Sequence, residues 1–251
     1  MCLIVVAWKA HPKYPLIVAA NRDEYYQRPS IAAHYWKESP EVLGGRDLEK
    51  GGTWLGVNQR GDFAAVTNFR GGELPPQGRS RGELVARYLL SKQSTTEFMG
   101  GVDRERSQYN PFNLLICDGN ALVYTSDIHD SFQELPPGIH AIGNQRLESD
   151  ERKTSIARVE MAKRLKKGPS EEQLFAMLAD PKPTSDSSDP LENALSAFFI
   201  RAIERNYGTR ASTLFLRDNL GNGLFCEQQF DANGPLGEPK RFTLQAAAMP
   251  V

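Results

Sequence analysis

Three cysteines in 251 residues, Cys2, Cys117 and Cys226, are too few for a disulfide framework, and none belongs to a C-x-x-C pair. That usage fits a reducing compartment, and a cytoplasmic location is expected. A long apolar run is missing too. The opening Leu3-Ile4-Val5-Val6-Ala7 is interrupted by Lys9, His11 and Lys13, and no basic stretch precedes it as a secretory signal would require. Nothing approaches the roughly 20 apolar residues of a transmembrane helix. Charge of one sign is equally scarce. Thirty basic and 31 acidic side chains leave a formal net charge of -1, which lacks the footprint of a nucleic-acid-binding domain.

Several motifs are absent. His11, His34, His129 and His140 are scattered without H-x-x-x-H spacing, so no metal site is expected. G-x-S-x-G does not occur, which removes the hydrolase elbow. The glycines at 44, 45, 51, 52 and 56 fit neither G-x-G-x-x-G nor the Walker pattern. They suggest bends and close backbone approach instead. No internal repeat is visible.

What remains is an ordinary globular composition, 40% hydrophobic and 24% charged. The length suits one large domain or two small ones, and residues 1–251 are taken as a single domain. Apolar runs at 3–8 and 16–20 read as the first strands, and 53–58 and 63–68 flank a turn at Gln59-Arg60-Gly61-Asp62. Ser80-Arg81-Gly82-Glu83 is a capping-box pattern ahead of Leu84, Val85, Tyr88 and Leu89, which share a helical face. A second hairpin is expected over 112–117 and 121–125. A polar helix should span about 150 to 167, with Ile156, Val159 and Leu165 as its apolar side and Gly168-Pro169 as its stop. Its basic end suits either a phosphate or membrane patch or, better, the helix dipole. Ser170 should cap a short helix, and 180–189 should be a solvated loop. Pro190 should open another helix whose buried stripe is Leu191, Leu195, Phe198, Phe199 and Ile203. Strands return at 212–216, 223–230 and 241–244. Without strict strand–helix alternation, a layered α+β domain is favoured over a doubly wound sheet.

Cys2 carries the chemistry. Removal of Met1 would leave a thiol and a free α-amine on one residue, with ordinary pKa values of about 8.5 and about 7.7–8.0, so nucleophile and base would coincide. Read alone, Cys2 is equally a small apolar residue opening a buried strand. The polar cluster at 19–29 follows an apolar strand. If the first two strands pair antiparallel, Arg22 and Asp23 come beside Cys2. There a guanidinium would favour thiolate and a carboxylate could hold the ammonium.

Met1-Cys2, AANRDEYYQRPS (19–30), LGGRDLEKGGTWLG (43–56), FAAVTNFR (63–70) and SRGELV (80–85) resemble the NRDE family of transport and Golgi organisation proteins. YNPFNLLICD (109–118), LPPGIHAIGN (135–144) and YGTRASTLFL (207–216) continue the likeness over about residues 1–230. The resemblance implies an α+β, four-layer αββα sandwich of N-terminal-nucleophile hydrolase type, similar to choloylglycine hydrolase and penicillin acylase. It implies Cys2 as nucleophile, Arg22 and Asp23 as its orienting groups, with Asn21 as a rival for one role. Asn68 and Asn144 would form an oxyanion hole, and Arg210 would lie near the nucleophile. Asn68 and Asn144 also suit ordinary turns, and Arg210 an ion pair. Two functions follow. One is hydrolysis or transfer of an acyl group at a linear, non-peptide amide or thioester, needing no cofactor. The other is noncatalytic binding of haem or of an acyl-CoA-like lipid. The partner in either case is a small-molecule or lipid-like ligand.

Overall fold

The computed structural model describes residues 2–69, 78–127, 131–147, 149 and 151–246. Met1, His129 and Asp150, where the polar helix was expected to begin, lie outside them. In chain order the strands are β1 (Leu3–Trp8), β2 (Leu16–Tyr25), β3 (Ser30–Trp36), β4 (Ser39–Asp47), β5 (Leu55–Asn58) and β6 (Phe63–Asn68). Helices α1 (Arg81–Leu90) and α2 (Thr95–Glu105) follow, then β7 (Phe112–Cys117), β8 (Leu122–Ser126), β9 (Gln133–Glu134) and β10 (Gly138–Ile142). Three helices, α3 (Arg152–Lys167), α4 (Glu171–Leu178) and α5 (Pro190–Leu195), precede β11 (Arg201–Ala202), β12 (Tyr207–Arg217), β13 (Gly223–Asp231), β14 (Gly234–Pro235) and β15 (Lys240–Leu244). The class is α+β, as the order of elements predicted. No helix among the described residues is long and apolar enough to cross a membrane.

The chain forms two compact units. One comprises residues 1–28, 137–219 and 224–243; the other comprises 29–136, 220–223 and 244–251. In the first, the sheet runs β10-β1-β2-β12-β13-β14, with β11 on β12 and β15 on β13. Leu3, Val5 and Ala7 of β1 and Ile17 and Ala19 of β2 share a face and bury against Ala157 and Met161 of α3 and Leu174 and Met177 of α4. That is the period-two alternation of strands meeting helical stripes. Ile4, Val6, Val18 and Ala20, on the opposite face, are buried as well.

The second unit orders its sheet β3-β4-β5-β6-β7-β8-β9, a meander in which each strand pairs antiparallel with its sequence neighbour. Leu84, Val85, Tyr88 and Leu89 of α1 bury against Ala64, Val66 and Leu114. Each unit is therefore one sheet with helices on one face, the αβ half that an αββα sandwich requires twice. At the β5–β6 turn, the Asn58 amide donates to Asp62 Oδ2 (2.9 Å) and to the carbonyl of Leu89 (3.0 Å), tying the turn to the end of α1.

Several expectations needed correction. Ser80 makes no side-chain cap: the Glu83 amide donates to the Ser80 carbonyl at 3.1 Å, and the Glu83 carboxylate pairs with Arg79. The capping box belongs to Ser94 and Glu97 on α2, a helix the periodicity did not announce. Val159 is exposed (54%). The buried face of α3 is Lys153, Thr154, Ala157 and Met161, while Ile156 and Leu165 pack only partly. The stripe from Leu191 to Ile203 is not one helix. α5 ends at Leu195, and the Ser196 hydroxyl accepts from the amides of Thr184 and Ser185 (2.9 Å each). Phe198 enters the core, Phe199 meets Phe230 edge-on and Ile203 is exposed. β3 and β4 were unread, a strand leading to Asn144 forms as β10, and β2 continues through the polar cluster to Tyr25. The caps at Ser170 and Asp189 and the Gly168 stop form as expected.

Gly52 shows why the glycine-rich segment cannot carry side chains. Its φ is +70°, and a Cβ there would stand 2.5 Å from the carbonyl oxygen of Gly82. Gly52→Ala should therefore destabilise the chain by about 2 kcal/mol or more, read as a fall in the urea midpoint of unfolding.

Candidate active site

Four neighbouring strands bring the chemistry to one end of the first sheet. β1 and β2 pair antiparallel from Trp8↔Leu16 to Leu3↔Asn21, so Cys2 comes beside Arg22. β10 pairs with β1 up to Ile4↔Ile142, and Asn144 follows two residues beyond the end of β10. β12 pairs with β2 at Thr209↔Asp23 and Ala211↔Arg22, with a bulge between them that extrudes Arg210. Cys2, Arg22, Asp23, Asn144 and Arg210 are thus gathered in the first unit. Asn68 belongs to the other unit, where it ends β6 opposite Phe112 and is exposed. Its part in an oxyanion hole rests on the resemblance.

The Cys2 thiol is half-buried and donates to the carbonyl oxygen of Asp23 at 3.8 Å. Burial pushes its pKa above the ordinary thiol value and the Asp23 carboxylate adds to this, while Arg22 pulls the other way. The Arg22 guanidinium favours thiolate as expected, but desolvation outweighs it. Arg22 itself is 3.7 Å from Glu24, which stands at the same distance from Arg28.

Asp23 turns its carboxylate to the helical side of the sheet. Oδ1 accepts from the Thr209 hydroxyl at 2.7 Å, and that hydroxyl in turn accepts from the amide of Ile200 at 2.9 Å. Oδ2 lies 4.0 Å from Nζ of Lys153, with both side chains buried. The Tyr207 hydroxyl donates to the Asp23 carbonyl at 3.2 Å. Lys153, Thr209 and Tyr207 were not foreseen. The signal for Lys153 was its position in the first turn of a helix, where the macrodipole disfavours a cation unless a specific anion holds it.

Asn21, the rival for a site role, is fully occupied elsewhere. Its amide nitrogen donates to the carbonyls of Leu178 and Phe198 (2.8 Å each), and its Oδ1 accepts from Ser212 (2.6 Å). Arg210 is similarly committed. It donates to the carbonyls of Tyr25 (3.0 Å), Tyr26 (2.7 Å), Arg28 (3.2 Å) and Phe230 (3.2 Å). It clamps the turn that follows β2 and positions the site from behind. Asn144 is 5% exposed and follows Gly143, on which a Cβ would overlap the carboxylate of Glu151. The start of α3 is thereby seated directly on the strand end that presents Asn144.

A half-buried thiol with a cation beside it is a group that can act as the nucleophile of acyl transfer. The family model described as "Transport and Golgi organisation 2" matches residues 1–232. The chain is similar to the Transport and Golgi organization protein 2 homolog of Bos taurus, 34% identical over 94% of this chain and 95% of that one. The Homo sapiens homolog is 33% identical over 91% and 92%. Among solved structures, the Caenorhabditis elegans N-acylethanolamine-hydrolyzing acid amidase ortholog superposes with a TM-score of 0.49 at 13% identity, covering 86% of this chain and 92% of that one. The C2A mutant of the conjugated bile acid hydrolase from Clostridium perfringens gives 0.45 at 12% identity over 98% of each chain.

The hydrogen bonds of Asn21 make it a structural residue. Asn21→Ala should cost about 3 kcal/mol of stability, since it strands two buried carbonyls and a hydroxyl. Urea denaturation checks this, and a variant as stable as the wild type would return Asn21 to the list of site candidates.

Proposed function

The chain belongs to the Transport and Golgi organisation 2 family, and on that premise we propose that it is a Cys2-dependent N-terminal-nucleophile amidohydrolase or acyltransferase. Its substrate class is a small or lipid-like linear amide or thioester, met in the cytoplasm. The family's members compared above are named for transport and Golgi organisation and not for a reaction, so the reading rests on the site. The observation that carries it is the convergence of Cys2, Arg22 and Asp23 on one sheet end.

With Met1 removed, the free α-amine of Cys2 takes the thiol proton, which the buried thiol does not give up to water readily. The sulfur attacks the carbonyl carbon, forming a C–S bond and a tetrahedral oxyanion. Asn144 donates to that oxyanion from its side-chain amide. Collapse breaks the bond to the leaving nitrogen or sulfur, which receives the proton from the α-ammonium. Water then attacks the acyl–Cys2 thioester while the α-amine takes a proton from it; collapse breaks the C–S bond, releases the acid and returns that proton from the α-ammonium to the sulfur. An acceptor amine or alcohol in place of water makes the same site an acyltransferase.

An electrophilic acyl probe should label the Met1-processed chain on Cys2, and Cys2→Ala should abolish labelling. With any substrate the probe identifies, Asn144→Ala should lower turnover by about 10²–10³ while leaving Cys2 in place. A carrier of haem or acyl-CoA-like lipids is the competing outcome. Saturable haem binding on a processed chain whose Cys2 ignores the probe would replace the hydrolase reading.

A further inference from the structure

The oxygen that receives the Cys2 thiol at 3.8 Å is the carbonyl of the Asp23–Glu24 peptide bond, so the sulfur rests against β2 between Arg22 and Glu24. Strand alternation puts all three side chains on one face. Leu3 and Asn21, which pair across β1 and β2, both turn to the helices. Cys2, one residue before Leu3, and Arg22, one residue after Asn21, therefore turn the other way, and Glu24 follows Arg22. On that face Oε2 of Glu24 stands 3.7 Å from Nη2 of Arg22. We propose that Glu24 is a positioning residue for Cys2 that acts through Arg22: its carboxylate holds the guanidinium on the strand face to which the thiol turns.

Three features support this assignment. Glu24 is itself fixed, because Oε1 accepts from the Tyr25 amide at 2.9 Å and Oε2 lies 3.7 Å from Nε of Arg28. The turn that carries Arg28 is clamped by the four carbonyl contacts of Arg210, so the anchor is rigid. The Arg22 and Glu24 side chains are only 11% and 21% exposed, and a pair so withdrawn is screened less than one on the open surface. Arg22 eases the Cys2 thiol toward thiolate, so its placement bears on the sulfur. The other charged and titratable groups around this end lie elsewhere. The Asp23 carboxylate is on the helical face with Thr209 of β12 and Lys153 of α3. Tyr207 of β12 donates to the Asp23 main chain, and His140 of β10 stands opposite Val6, well up β1 from Cys2. Tyr26 packs over Gly208, and Glu171 of α4 pairs with Arg241.

The inference deepens the reading of Cys2 as nucleophile and rests on it, but its test needs no substrate. Alkylation of Cys2 by iodoacetamide is followed across pH, by mass on the Cys2 peptide of the Met1-processed full chain. Cys117 and Cys226, each 0% exposed, are internal controls. Glu24→Gln releases Arg22 and should raise the pH midpoint of alkylation by about 0.5, slowing the reaction about threefold near neutral pH. Loss of a carboxylate that acted directly on the thiol would lower the midpoint, so the direction separates the two. In an Arg22→Met chain the same Glu24→Gln change should leave the midpoint where it is. A midpoint that falls or stays put in Glu24→Gln, or rises equally in both backgrounds, overturns the proposal. Where Arg22→Met does not fold, the direction in the single variant decides. Should Glu24→Gln not fold, Glu24→Asp, which draws the carboxylate back by one methylene, is read in the same way. Acyl-probe labelling that fails while the midpoint shift holds sinks only the hydrolase reading.

Discussion

A one-residue slip between β1 and β2 would turn every side chain of one strand to the opposite face, and with it the site would vanish. The register from Trp8↔Leu16 to Leu3↔Asn21 is what sets Cys2 beside Arg22 and its thiol on the Asp23 carbonyl. Both faces of β1 are buried and apolar, so a slip exchanges one apolar face for another and polar partners must fix the register. Asn21 reinforces it. Its three hydrogen bonds to Leu178, Phe198 and Ser212 leave only one alignment in which a buried amide is satisfied.

The same alternation explains how one short run, Asn21 to Glu24, serves two purposes. Asn21 and Asp23 point to the helices, where one is a structural tie and the other half of a buried ion pair. Arg22 and Glu24 point the other way and pair with each other. The block that looked like a solvated turn is therefore a strand with opposed chemistries on its two faces. Burial also decides the state of the nucleophile. Desolvation raises the Cys2 thiol, so a base at the moment of reaction eases formation of the thiolate.

Much of this was legible in residue patterns. The two apolar runs at 3–8 and 16–20 were readable as strands, and their antiparallel pairing is the condition that brings Cys2, Arg22 and Asp23 together. Gly168 and Ser170 announced their helix ends through local chemistry. What escaped depended on partners distant in sequence. Lys153 belongs to a helix whose apparent apolar side, Ile156 and Val159, is rotated from the face it buries. The run of Phe198, Phe199 and Ile203 looked helical because its spacing is, yet Ser196 is claimed by the loop at Thr184 and Ser185 and the chain turns away. The Ser80–Glu83 capping box does not form because the Glu83 amide goes to the Ser80 carbonyl and its carboxylate to Arg79. Arg210 had the expected place and a different employment, since four carbonyls take the guanidinium that might have faced sulfur.

The strand order of the first sheet has a consequence for synthesis. β2 lies between β1, its immediate neighbour in the chain, and β12, whose last residue Arg217 follows Tyr25 by 192 positions (217 minus 25). At about 5–20 residues per second, the β1–β2 hairpin leaves the ribosome roughly 10–40 s before the strand that covers its other edge. The meander β3 to β9 needs no such wait, because each of its strands pairs with the one just made. The half of the molecule that holds the reactive thiol is therefore the last to close, and through that interval its hairpin carries an open apolar edge of the kind chaperones recognise.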